Sequence, residues 1–204
     1  MKIEPFIKGN YYHVYNRGNN SGDIFFEEDN YRHFLKLYDK YINPVADTFA
    51  WCLMRNHFHL LVYLKEDHEV NKNDLSYSTI DQPKEINPSR QFSHFFNAYT
   101  QAVNKRHKRT GSLFETPFER KRITSETYFS NLIFYIHNNP VHHGVEKRIE
   151  DYAWSSYATI LSSKSTKLKR NRVIGFYDDT TNFVLYHNIQ QDSHAIRDLL
   201  IDYE

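Results

Sequence analysis

The sequence predicts an α+β fold, an antiparallel sheet carrying two helices on one face, with further helices added after it. Three observations predict it. Segments of alternating β-formers are interleaved with segments of helical spacing in the order strand, helix, strand, strand, helix, strand. Two neighbouring strands are separated by only Arg55 and Asn56, a turn short enough to force antiparallel pairing. Finally, 40% hydrophobic and 16% aromatic residues, with only 6 Gly and 6 Pro among 204, are the composition of a folded chain long enough for one compact domain and a small appendage.

The first strand is "NYYHVYNRG", Asn10 to Gly18, alternating and closed by glycine. "EEDNYRHFLKLYDKYI" follows as a helix, with acids in its first turn, Phe34, Leu35, Tyr38 and Ile42 on one side, and Asn43-Pro44 to end it. "DTFAWCLM" and "HFHLLVYL" are the hairpin strands. From Lys65 to Asn87 the chain is polar and unperiodic, which marks an insertion loop. Asn87-Pro88-Ser89 then starts a helix with Phe92, Phe95, Phe96, Tyr99 and Val103 along one side and Gly111 just past its end. "FERKRIT" is a short basic strand, and "SETYFSNLIFYIHNN" a helix expected to stop at Pro140. Helical stretches are expected around "WSSYATIL", "TNFVLYHNI" and "HAIRDLL".

This order is that of the ferredoxin-like split βαβ arrangement, with a third helix added directly after the last strand. The division expected is a catalytic domain over residues 1–160, its insertion loop at about 65–87, and a basic, helical extension over residues 161–204. No apolar run approaches the roughly 20 residues of a membrane span, and no signal peptide is seen. The single cysteine, Cys52, sits in an apolar run where a small buried thiol fits, so a cytoplasmic protein is expected.

Net charge is only +1, but it is unevenly placed. Lys105 to Arg122 holds seven Lys/Arg against Glu115 and Glu119, and Lys164 to Arg172 holds five basic residues and no acid. Such runs with aromatic residues nearby suit phosphate contacts, although a solvated surface loop has the same composition. The candidates for contact with DNA are Arg120, Lys121 and Arg122 on the last strand and Lys105, Arg106, Lys108 and Arg109 at the end of the second helix.

His57 and His59 lie two apart on a strand and therefore point to one face, where two imidazoles can hold a metal. With 12 histidines, a chance His-x-His has a probability on the order of 0.5, so spacing alone does not decide. Tyr135 and Asn139 are four apart and share one helix face. A phenol beside a metal held by two histidines and an amide oxygen would be a nucleophile whose target phosphate the cation polarises. His137 falls off that face, His142 and His143 flank a turn at Gly144, and Asn16 and Arg17 end the first strand.

These residues carry a resemblance. "CLMRNHFHLLV" resembles the His-hydrophobe-His segment of IS200/IS605-type tyrosine transposases, and "YIHNNPVHHG" the tyrosine helix of their REP-associated branch. "GSLFETPFERKRI" is similar to the family's Gly-x-Leu-Phe segment, and "DYAWSSY" to its Trp-Ser-Ser-Tyr segment, so that four motifs follow in order from about Asn10 to Ile160. Met54-Arg55-Asn56 departs from the family's common Met-Pro-Asn. The resemblance implies that His57, His59 and Asn139 hold Mg²⁺ or Mn²⁺ and that Tyr135 attacks single-stranded or hairpin DNA, leaving a 5′-phosphotyrosine and a free 3′-OH. It leaves open a monomer or a homodimer. Two other readings compete: a catalytically silent nucleic-acid-binding module on the same fold, and a zinc hydrolase, which lacks a carboxylate ligand near the pair.

Overall fold

The computed structural model describes residues 4–71 and 87–189. Four strands, β1 (Tyr11–Arg17), β2 (Ala46–Leu53), β3 (His57–Leu64) and β4 (Glu119–Ile123), form one sheet in the order β2-β3-β1-β4 with every pair antiparallel. This is the split βαβ order expected from the sequence. The hairpin closes as predicted, with Met54 and His57 exchanging both backbone hydrogen bonds around Arg55 and Asn56.

Helices α1 (Glu28–Tyr41) and α2 (Pro88–Arg106) cover one face. Tyr12 and Val14 from β1, with Phe58, Leu60, Val62 and Leu64 from β3, meet Phe34, Tyr38, Phe92, Phe95, Phe96 and Tyr99 there. Rings of this core meet edge to face, Phe34 on Phe95 at 4.7 Å between centroids and on Tyr99 at 5.1 Å. Such pairs add about 0.5–1.5 kcal/mol each beyond area burial. The Asn87 side chain caps α2 by accepting from the Arg90 N–H. α2 ends before Gly111: Lys108, at φ 52°, takes the left-handed position, and Arg109 N–H closes on the Asn104 carbonyl.

Helix α3 (Glu126–His142) lies on the opposite face, over β2 and β3. Its core joins Phe129, Leu132, Ile133 and Ile136 to Phe49, Ala50, Cys52 and Leu61, and takes in Leu168, Val173, Tyr177 and Phe183 from beyond residue 160. The register shifts between Thr48 and Ala50, which lets Thr48 face Tyr38 while Ala50 and Cys52 face α3. Pro140 does not stop α3, which runs on to His142. Proline lacks only one donor, and near the helix end the loss is small: His143 N–H still reaches the Asn139 carbonyl, and the Pro140 carbonyl accepts from Val145 and Glu146.

Three short helices follow: α4 (Tyr157–Leu161), α5 (Arg170–Gly175) and α6 (Thr180–Asn188). The expected helices near Trp154 and Thr181 are thus present, while "HAIRDLL" and most of the 65–87 loop lie outside the described residues. Among the described residues, no helix is long and apolar enough to cross a membrane.

A histidine-lined candidate active site under the tyrosine helix

Strand alternation places Tyr11, His13, Tyr15 and Arg17 of β1 on the α3 face, together with His57, His59 and Leu61 of β3. Tyr15 stands opposite His59 in the antiparallel register, and Arg17 opposite His57. Helix α3 brings Tyr135 and Asn139 down onto this row. The Tyr135 ring meets His59 edge-on at 5.2 Å between centroids and His13 at 6.2 Å. One turn further on, Asn139 Oδ1 lies 2.8 Å from His57 Nε2. The four residues singled out by their spacing therefore converge, from segments about eighty residues apart.

Each imidazole is oriented by a second group. His57 Nδ1 lies 2.8 Å from Asn56 Oδ1, and His59 Nδ1 lies 3.0 Å from His13 Nε2. His143 adds a ring 5.1 Å from that of His57. Burial holds the whole group neutral: it pushes His57 down to about 4, helped by His143 and Arg17 and opposed by the Asn139 hydrogen bond. Burial pushes His13 down to about 3, with Lys121 adding to it. His59 is held well below the usual histidine range by burial and then by its imidazole neighbours.

Neutral His57 faces two amide oxygens with one N–H. If Nδ1–H donates to Asn56, the Nε2 lone pair and the Asn139 oxygen meet with nothing positive between them. His59 Nε2 and Asn139 Nδ2 are buried without a hydrogen-bond partner, a costly arrangement for polar atoms. A cation would meet the lone pairs of His57 Nε2, His59 Nε2 and Asn139 Oδ1, whereas the Asn139 NH₂ is a donor and needs an acceptor instead. Two ligand atoms at about 2.1 Å from a hard cation lie about 3 Å apart in octahedral geometry, close to the observed contact. Among the described residues, no group of three or more His, Cys, Asp or Glu is placed to hold a metal. His57, His59 and the Asn139 amide oxygen are donors of the kind a divalent cation accepts.

The basic candidates separate. Lys121 pairs with His13 across the β1–β4 ladder and is exposed on the α3 face, its Nζ 5.2 Å from the Tyr128 ring. Arg120 and Arg122 alternate to the other face. Arg120 lies over Phe6 and Phe118 and donates to the Glu4 carbonyl, and Arg122 pairs with Glu4. Lys105, Arg106, Lys108 and Arg109 end α2 in the other layer, where Arg106 pairs with Glu27 and Arg109 donates to Asn104. In the second basic run, Lys167 meets Asp39, Lys169 meets Asp47, and Arg172 donates to the Tyr11 hydroxyl.

Sequence reasoning missed His13 and Asn56. The signal for His13 was its position in the first strand, odd-numbered with Tyr15 and Arg17, but only the β1–β3 register shows that this row lies beside His59. Arg17, at the end of the first strand, is held on the site face by Glu115 and Ser21. His137 is structural: it bonds His187 at 2.9 Å and Ser156 at 2.8 Å.

Comparison of folds finds a likeness. A solved structure of a REP-associated tyrosine transposase bound to a REP hairpin is similar to this chain with a TM-score of 0.59, covering 80% of this chain and 86% of that one at 17% identity. Comparison of sequences gives a particular relative: a Haemophilus influenzae protein, provisionally named a REP-associated tyrosine transposase, is 28% identical over 115 residues, 54% of this chain. The match spans 58% of that relative's length. No family model matches the chain. The resemblance carried by the four motifs is thus met again in both comparisons.

Proposed function

We propose that this chain is a metal-dependent DNA transposase that nicks and rejoins single-stranded, hairpin-bearing DNA in the cytoplasm, with Tyr135 as nucleophile and His57, His59 and Asn139 as the ligands of Mg²⁺ or Mn²⁺. The observation that carries the reading is the convergence of Tyr135 and Asn139, one turn apart on α3, on the two histidines of β3.

The bound cation would polarise the target phosphodiester and stabilise the charge that develops on it. In cleavage the Tyr135 phenolic oxygen loses its proton and bonds to phosphorus, while the bond to the 3′ oxygen breaks and that oxygen leaves as a 3′-OH. Rejoining reverses these steps with a 3′-OH as nucleophile. One phosphodiester is exchanged for another, so no ATP is needed. Tyr135 is only 4% exposed, so the phenol must swing outward, or α3 shift, before a polynucleotide reaches it. His13 and His59 hold the ring until then. Lys121, exposed on the same face, is placed to meet a DNA phosphate.

The test is incubation with labelled single-stranded hairpin DNA and Mg²⁺ or Mn²⁺, followed by denaturation. A covalent protein–DNA band is expected, absent in Tyr135→Phe and in the His57→Ala, His59→Ala double variant. Tyr15 is a second phenol, 6.0 Å from His59 between ring centroids. Adduct surviving in Tyr135→Phe but lost in Tyr15→Phe would move the nucleophile to β1.

A further inference from the structure

His13 is 1% exposed and its Nε2 lies 3.0 Å from His59 Nδ1. A single proton occupies that contact, and which ring carries it decides what His59 presents to the site. If His13 Nε2–H donated, His59 would hold its own proton on Nε2. That N–H would then be a buried donor with no partner, since Nε2 makes no hydrogen bond. If His59 Nδ1–H donates, Nε2 keeps a lone pair directed into the cluster of His57, Asn139 and Tyr135.

We infer that His13 is a positioning residue: by accepting the His59 Nδ1 proton it fixes the tautomer in which His59 Nε2 is free to bind a cation. The inference rests on the metal reading proposed above. It assigns His13 no contact with the cation or the DNA; its action passes through His59. Ligating histidines commonly have their second nitrogen held in this way, which fixes the ring and raises its basicity. His57 shows the parallel arrangement, its Nδ1 facing the Asn56 oxygen. What distinguishes His59 is that its orienting partner is another imidazole, supplied by the neighbouring strand, so that the tautomers of two residues are set together. The packing of His13 against Tyr15, at 4.7 Å between centroids, holds the accepting ring in place.

The experiment uses the full chain labelled with ¹⁵N-histidine. In metal-free wild type at pH 7.5, long-range proton–nitrogen correlation should show His59 protonated on Nδ1 and unprotonated on Nε2. In His13→Phe, which removes the acceptor but keeps a ring, that tautomer should be lost, and Mn²⁺ affinity measured by calorimetry should fall roughly 10- to 100-fold. His13→Gln, whose amide oxygen can accept from Nδ1–H, should restore the tautomer and recover Mn²⁺ affinity to within a few-fold of wild type. His59 found protonated on Nε2 in the wild type overturns the inference, as does His13→Phe binding Mn²⁺ like wild type. Should His13→Phe fail to fold, the wild-type tautomer and the His13→Gln affinity still decide. A wild type that shows the Nδ1–H tautomer but binds neither Mn²⁺ nor Mg²⁺ sinks the metal reading and leaves the tautomer assignment standing.

Discussion

Two buried histidine clusters flank α3 on different sides, around Asn139 and around His137, and they differ in what they leave undone. In the one formed by His137 and His187, every polar atom is paired. His187 Nδ1–H donates to the Phe183 carbonyl, so its Nε2 must accept from His137 Nδ1–H. His137 Nε2 in turn accepts from the Ser156 hydroxyl, whose oxygen accepts from the Trp51 backbone N–H. Each proton in this relay has one possible place. It ties α6 through α3 to β2 and explains the serine of the Trp-Ser-Ser-Tyr segment. In the other cluster, His59 Nε2 and Asn139 Nδ2 have no partner. Equal burial thus has opposite outcomes: a saturated network holds helices together, and an unsaturated one leaves the His59 Nε2 position open, which is the feature the proposed metal role draws on.

Acid should produce the largest effect, and it acts on both clusters, since burial lowers His13, His57 and His59 as it does the relay. Burial pushes His187 down to about 4 and holds His137 well below the usual histidine range. Both are neutral when folded, while the unfolded chain takes up protons below about 6.5, so their stabilisation is full above that pH and lost as pH falls toward 4. Each contributes a slope of up to about 1.4 kcal/mol per pH unit in that window. The urea midpoint should drop accordingly, and a flat profile between pH 6.5 and 4.5 would contradict the neutral relay.

His137→Ala comes next. It leaves His187 Nε2 and the Ser156 hydroxyl without their partner and opens a cavity, for an expected loss of about 2–4 kcal/mol in chemical denaturation. His59→Phe should cost less, about 1–2 kcal/mol, because the unpaired Nε2 is removed with the ring while the buried His13 Nε2 loses its partner, and Mn²⁺ binding should disappear. Equal destabilisation by the two variants would erase the distinction between the clusters. The smallest effects concern the last strand. Lys121→Gln should weaken single-stranded DNA binding and lower the salt slope by roughly one charge. Arg120→Gln should leave that slope unchanged and cost about 1 kcal/mol of stability through lost packing on Phe6 and Phe118.

Much of this was legible beforehand where the signal is local. Period-two and helical spacing identified all four strands and the three long helices, and they put His57 with His59 and Tyr135 with Asn139. Alternation also separates Lys121 from Arg120 and Arg122, although composition alone had grouped the three. What stayed hidden depends on register and on chain segments far apart. His13 reaches His59 only through the β1–β3 pairing, and Thr48 and Ala50 change faces through an irregularity that no local pattern announces. His137 found its partners 19 and 50 residues away. Pro140 was overread, since a proline in the last turn removes a bond the helix can spare.

The two margins of the sheet are finished in different ways. The outer side of β2 is occupied: Leu53 N–H donates to the Trp154 carbonyl, Ser156 N–H to the Trp51 carbonyl and Lys169 N–H to the Thr48 carbonyl. Among the described strands β4 pairs only with β1; its sequence is Glu119-Arg120-Lys121-Arg122-Ile123, and Glu4 takes the Arg122 N–H. An open margin invites another strand, and two copies meeting there would bring like charges together. The cations of β4 therefore oppose polymerisation through the sheet, and neutralising them together should cost solubility before it costs the fold.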